Sequence, residues 1–366
     1  MTPTLAQNPP PSDLLAPAPF SEPPLFPRRT LPTHAPGWQT QLWQRLVVAV
    51  MRGAAAGVQS LSPVAAVQFG DMLGRLAHRV ARRQRRRCLA NLHLAYRDEL
   101  TAAERDAHAR QVFAHFGRGV VDFLRGPARS ASELARLVAC DGWEHVEAGL
   151  RRGKGLLLVT GHFGNWELLG RWLAMVKNVP LTVVAKEPDS PALAAYLRRM
   201  RENGGFTVLS KGESARGLLR ALRRGEAILI LADQNSGDVF APFFGVPAGT
   251  AAGPTSLALH SGAALIPIYC AALPDNTFRV TCFPALDTRD GAESAGTGDR
   301  RADVLRLTTE LNQTLESVVR AHPDQWLWLH NRWKSAFEEG NRAAAWDNGM
   351  QDQGREFRAA RERWET

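Results

Sequence analysis

The sequence predicts an α/β fold: a mixed, mostly parallel central sheet flanked by helices, with a helical N-terminal region ahead of it. Three observations carry this. Short apolar, β-rich runs recur at 155–160, 181–185, 206–210, 226–232, 264–273 and 277–283. Helical patterns separate them at about 165–177, 190–203, 213–224 and 253–262, with a long closing helix near 301–321. From Leu73 to Arg125, by contrast, apolar residues recur only at helical spacing. Strands apolar on both faces and alternating with helices require a parallel sheet covered on both sides.

Taken in order, residues 1–37 are Pro-rich and lack the apolar block of a secretory signal, so they read as a disordered leader. Residues 38–72 read as membrane-interface or anchoring helices. A spanning helix needs roughly 20 apolar residues, and here Arg45 and Arg52 interrupt the pattern and Pro63 breaks its second half. Trp43, Leu46, Val47 and Val50 form an apolar stripe suited either to an interface or to packing on the domain. Next, "ARRQRRRCLANLHLAY" carries an arginine run ending at Arg87, followed by Leu89, Leu92 and Leu94. "TAAERDAHARQVFAHFGRGVVDFLR" opens on Thr101 and Glu104, a capping-box signature. The main domain is expected over 73–337 and a charged flexible tail over 338–366.

Composition narrows the function classes. A chain of 366 residues with a net charge of +9 and a pI near 10.0 favours an anionic partner: nucleic acid, a lipid surface or an acidic protein. No nucleic-acid motif or clustered basic-aromatic strand is present, which argues against nucleic acid. Cys88, Cys140, Cys270 and Cys282 show neither CxxC spacing nor zinc-type histidine pairing, so they read as reduced core thiols, with no metal site.

The chemistry-bearing stretch is "LLLVTGHFGNWELLG". His162 follows a strand pattern at its carboxyl end, where open α/β sheets bind ligands. On a continuous helix, residues five apart point about 140° away from each other. His162 and Glu167 therefore meet only if His162 lies in the turn and Glu167 in the first helical turn, with Asn165 as the cap and Gly161 and Gly164 supplying backbone latitude. Glu167 would then orient one imidazole nitrogen, and the other would deprotonate a substrate hydroxyl. The stretch is not G-x-S-x-G, so no serine nucleophile is expected. A satisfied structural histidine is the competing reading. A second strand pattern runs into Asp233, which would open on the same edge or merely cap a turn. Beyond it, Phe243, Phe244 and Thr250 lie in a Gly/Pro-rich loop that would line a lipid-chain groove or tuck onto the core.

"GHFGNWELLG", "ADQNSGDVFAPFFGVPAGTAAGPTSLAL" and "HPDQWLWLHNRWK" together resemble the late acyltransferases of lipid A biosynthesis, within the lysophospholipid acyltransferase superfamily. The resemblance runs from about Leu73 to Lys334 and includes "RRRCLANLHLAY". It implies acyl transfer from an acyl carrier protein thioester, as co-substrate and without a cofactor, to a hydroxyl of a lipid A precursor. His162 matches the general base and Glu167 its partner. Arg201 falls where the family carries a functionally important arginine, with Arg198 and Arg199 close by, and Asp233 matches the acidic residue opening the strand-end loop. Relatives often read Tyr-Arg-Pro ahead of Asn-Pro, whereas "AKEPDSP" here puts Lys186 for arginine and Ser190 for asparagine. Lysine keeps the charge but loses bidentate phosphate binding, so a lysophospholipid, phosphatidylinositol glycolipid or aminolipid acceptor stays open.

The expected partners are acyl carrier protein, a glycolipid or lysolipid acceptor and an anionic membrane surface, at the cytoplasmic face of the cell inner membrane. The arginine run is assigned to anionic head groups. Trp326, Trp328 and Trp333 suit either a bilayer interface or core packing.

Overall fold

The computed structural model describes residues 38–210, 215–288 and 299–336. The leader expected over 1–37 and the tail over 338–366 lie outside the described residues.

Helices come first. α1 (Trp38–Gln59) and α2 (Pro63–Val80) join at Ser62, whose hydroxyl accepts the Ala65 N–H. Pro63 takes the first helical position, where an amide has no helical partner anyway, so it starts α2 instead of breaking a helix. α3 (Arg82–Tyr96) carries most of the arginine run, and α4 (Ala102–Arg125) opens on the capping box of Thr101 and Glu104. α2 and α4 pack backbone against backbone. A Cβ on Gly74 would lie 2.2 Å from the Phe113 carbonyl oxygen, and one on Gly117 2.2 Å from that of Gly70.

Among the described residues no helix is long and apolar enough to cross a membrane. α1 buries Val48, Ala55 and Val58 but leaves Leu42, Trp43, Leu46 and Val50 exposed. One side of this helix packs on the domain while an apolar stripe faces outward.

After α5 (Ala131–Leu137) strands and helices alternate: β1 (Val138–Asp141), α6 (Trp143–Arg151), β2 (Leu156–Thr160), α7 (Trp166–Met175), β3 (Leu181–Ala185) and α8 (Pro191–Glu202). They continue through β4 (Thr207–Ser210), α9 (Ala215–Arg223) and β5 (Ala227–Leu231). A separate hairpin, β6 (Val239–Phe243) and β7 (Val246–Thr250), leads to α10 (Gly253–Ser261). β8 (Ala264–Ala272), β9 (Phe278–Cys282) and α11 (Arg300–Ala321) close the fold.

The main sheet has the order β1-β9-β8-β2-β5-β3-β4, parallel throughout except for the β8–β9 pair. All six expected strands are present, with ends within one residue of those read from the apolar runs. Alternate residues of β2 face opposite layers, as the two-residue period of a strand dictates. Leu156 and Leu158 join Trp172 and Leu169 of α7, whereas Leu157 and Val159 join Leu222, Leu257 and Leu307 from α9, α10 and α11.

Helices α5 and α6, strand β1 and the β6–β7 hairpin escaped the sequence reading. β1 is a four-residue edge strand with too little apolar character to announce itself. The Gly/Pro-rich loop is in fact the β6–β7 hairpin, with Pro242 opposite Pro247. Prolines lack a ladder donor, so such a pair stands apart from a sheet interior.

Candidate active site

The register of the sheet builds the site. β2 and β5 are parallel neighbours, with Thr160 beside Leu231. His162 and Asp233 each lie two residues past those paired ends, so the chain delivers them side by side. His162 Nδ1 is 2.8 Å from Asp233 Oδ1, and the His162 amide donates to Asp233 Oδ2 at 2.8 Å. Trp326 Nε1 donates to the same Oδ2 at 2.9 Å. Asp233 is 3% exposed. Burial raises its pKa, but the His162 charge, the two His162 hydrogen bonds and the one from Trp326 outweigh this and hold the carboxyl down to about 2.

Of the two glycines beside His162, Gly161 fits tightly and Gly164 is required. A Cβ on Gly161 would crowd the Asp233 carboxyl at 3.1 Å. Gly164 has φ 57°, and a Cβ there would lie 1.9 Å from the Cys270 carbonyl oxygen. Its carbonyl accepts from His115 Nε2 at 3.1 Å. Burial, first of several influences, lowers the His115 pKa to about 4, so this histidine is a neutral strut beneath the turn. His162 stays 21% exposed at its side chain, with Trp166 edge-on at 5.1 Å and Gln234 Nε2 3.4 Å from its Nε2.

Glu167 is not the partner of His162. Both its carboxylate oxygens face Arg201, with Nε at 3.2 and 3.1 Å and Nη2 at 2.6 Å. As the second residue of α7 its side chain turns toward α8, while Asp233 arrives from β5 and takes Nδ1. Burial lowers the Arg201 pKa, yet the Glu167 hydrogen bond and charge more than reverse it. Arg201 is thus a part-buried partner of Glu167 and not a solvated helix charge, and its neighbour Arg198 is engaged by Glu187.

Other expected site residues are placed differently. Asn165 caps α7 through the Leu168 N–H (3.0 Å) and donates to Asp122, so its side chain is spent on structure. Phe243 and Phe244 are buried among Trp326, Trp328, Trp333 and Tyr96, not along a lipid groove. Thr250 is buried too, donating to the Ala248 carbonyl and accepting from Arg332 Nη2 at 2.7 Å. All three close on the core because the hairpin folds under the C-terminal segment. The tryptophans are core residues, not interfacial ones. Lys186 is exposed just past the end of β3, on the same sheet edge as His162. Ser190 replaces asparagine without structural loss: it caps α8 through the Leu193 N–H.

The C-terminal segment supplies what sequence spacing hid. Gly164 donates to the Gln325 carbonyl, and Leu327 donates to that of His162. Asn91, in "CLANLHL", donates to the carbonyls of Trp328 and His330 at 2.7 Å each. His330 Nε2 accepts the Asn235 N–H at 3.0 Å, its pKa lowered to about 4, chiefly by burial. The arginine run is not wholly given to the surface. Arg85 donates to the His78 carbonyl, and half-buried Arg87 to that of Leu329. "HPDQWLWLHNRWK" advertised aromatic content, but nothing in its spacing tied Trp326 to a carboxylate 93 residues upstream.

An imidazole with one nitrogen tied to a buried carboxylate and the other at the rim can take a proton from an alcohol. Comparison with known proteins finds relatives among lipid acyltransferases. Residues 38–335 match the family described as bacterial lipid A biosynthesis acyltransferase. A phosphatidylinositol mannoside acyltransferase of Mycobacterium tuberculosis (strain CDC 1551) is 29% identical over 236 residues, 62% of this chain and 71% of that protein. The lipid A biosynthesis lauroyltransferase of Escherichia coli K12 is 28% identical over 278 residues, 73% of this chain and 85% of that protein. The palmitoleoyltransferase of the same strain is 25% identical over 275 residues, 73% and 84% of the two chains. With the match running through nearly all the described residues, this chain belongs to the bacterial lipid A biosynthesis acyltransferase family.

Proposed function

We propose that this chain moves a fatty acyl group from an acyl carrier protein thioester to a hydroxyl of a lipid A precursor, with His162 as general base and Asp233 as its partner. The observation that supports this best is the 2.8 Å contact between His162 Nδ1 and a carboxylate buried at the sheet edge. With Nδ1–H donating to Asp233, Nε2 carries the lone pair that accepts the hydroxyl proton. Exposed Gln234 stands where that hydroxyl would approach.

The acceptor oxygen attacks the thioester carbonyl and its proton passes to Nε2. Leu168 N–H is taken by Asn165, which leaves the Trp166 and Glu167 amides at the α7 N-terminus to face the oxyanion. Collapse breaks the C–S bond, the imidazolium proton goes to the thiolate, and ester, thiol and neutral histidine result. The donor is already activated, so the balance closes with acyl carrier protein as co-substrate and no cofactor. Glu167 and Arg201 tie α7 to α8 beside the turn, and Lys186 is assigned to an acceptor phosphate. The outward apolar stripe of α1 supports peripheral attachment at the cytoplasmic face of the inner membrane.

A phosphatidylinositol mannoside is the second reading of the acceptor, favoured by relatives at 29% identity that carry that name. Purified enzyme should be given acyl carrier protein thioesters with either a tetra-acylated lipid A precursor or a phosphatidylinositol mannoside, and products weighed by mass spectrometry. An acylated lipid A product that is lost in His162→Ala is expected. Product only with the mannoside would transfer the reading to that acceptor, and normal turnover in His162→Ala would overturn the mechanism.

A further inference from the structure

Away from the His162 site, a cleft of about 390 Å³ opens between α2 and α4, lined by Arg75, Arg79, Arg110, Arg118, His78 and Asp71 among others. Arg118 is bound to Asp71 at 2.6 Å and Arg110 to Asp106. Among the described residues no carboxylate pairs with Arg75 or Arg79. His78 stands edge-on to Phe113 at 5.3 Å, and its Nε2 is shielded from solvent with no hydrogen-bond partner. Its pKa is lowered first by burial and then by Arg85, with Arg110 and Arg79 adding to the effect against Asp106. The cleft thus holds guanidinium charge and an idle ring nitrogen that its own carboxylates do not satisfy.

The placement of these arginines on α2 says what kind of anion fits. At about 100° per residue, Arg75 and Arg79 lie between the side of α2 that meets α4 through Gly70 and Gly74 and a stripe of Met72, Leu76 and Val80. All three stripe residues are exposed. An anionic group held at the arginines therefore has apolar surface next to it on the outer side. Guanidinium matches phosphate in shape and charge, and an apolar strip beside it matches hydrocarbon.

We propose that this cleft binds the phosphate of an anionic phospholipid head group, whose chains lie along Met72, Leu76 and Val80. The proposal rests on the reading of the N-terminal helices as the membrane-facing side and is independent of the His162 chemistry. Arg79, exposed like Arg82 and Arg83 of α3, thereby has a discrete partner at the cleft that they do not line.

The test is co-sedimentation of the full chain with phosphatidylcholine vesicles, with and without phosphatidylglycerol. Arg75→Gln combined with Arg79→Gln should weaken binding to the anionic vesicles by about tenfold. Arg82→Gln with Arg83→Gln removes equal charge from exposed α3 positions and should weaken it by less than about threefold. Equal losses would mean diffuse charge and overturn the site, as would an unchanged cleft variant. A measurement on the unsubstituted chain stands beside these. The His78 ring resonances should shift with phosphatidylglycerol vesicles and stay put with inorganic phosphate; an equal shift with inorganic phosphate would make this a free-anion site and overturn the lipid assignment. His162→Ala should bind vesicles like the unsubstituted chain while failing to transfer acyl groups, so the two proposals fail separately.

Discussion

At the residue scale, the decisive group is Asp233. It receives the His162 ring, the His162 amide and the Trp326 indole, which together overcome the burial that would otherwise favour the neutral acid. Asp233→Asn should lower kcat by roughly 10³- to 10⁴-fold, because the amide can no longer hold the Nδ1–H tautomer or support positive charge on the ring. Steady-state kinetics with circular dichroism as the folding control would check it; a loss below tenfold would remove Asp233 from the dyad. Glu167 and Arg201 behave as one unit instead. Glu167→Gln and Arg201→Gln should give clearly non-additive losses in a double-mutant cycle, since either change breaks the same pair. Additive losses would show that the two side chains act separately.

At the scale of elements, the N-terminal helices depend on contacts no side chain makes. Gly74 and Gly117 let α2 and α4 approach until a Cβ would strike a carbonyl oxygen at 2.2 Å on either side. Backbone cannot yield as a flexible side chain can, so Gly74→Ala should cost about 2 kcal/mol or more by forcing the helices apart. Gly53, in α1, has nothing within 4 Å of its would-be Cβ. Gly53→Ala should therefore be neutral or stabilise by about 0.5–1 kcal/mol through helix propensity. Urea melts of the two variants would check the contrast. The same helices carry the charged cleft, so Gly74→Ala should also weaken anionic-vesicle binding. The α7 turn shows the complementary case, where Gly164 at φ 57° allows the loop to pass under Cys270.

At the scale of the whole molecule, acid should unfold the protein through histidines buried as neutral rings. The His115 pKa falls from 6.5 to about 4 on folding. Between those values the unfolded chain binds a proton that the folded chain refuses, so stability is full above pH 6.5 and drains as pH falls toward 4. The loss for His115 is on the order of 3 kcal/mol, and His330 acts in the same direction. Denaturation midpoints should drop across this window, with a shallower slope in His115→Gln; equal slopes would show that His115 is not the group responsible.

How much of this was legible beforehand follows from the range of each interaction. Strand runs, helix periodicity, the Thr101–Glu104 cap and the Asn165 cap depend on neighbours within a few residues, so the sequence by itself determined them, along with the strand-end position of His162. The partner of His162 depended on which strand lies beside β2. That is a matter of sheet order, and pairing Thr160 with Leu231 sets Asp233, not the nearer Glu167, against the ring. Likewise Phe243, Phe244 and the three tryptophans read equally as groove, interface or core until α3, the hairpin and the C-terminal segment closed around them. Local chemistry wrote the elements; only the tertiary structure decided which side chains meet, because those contacts join residues tens to hundreds of positions apart.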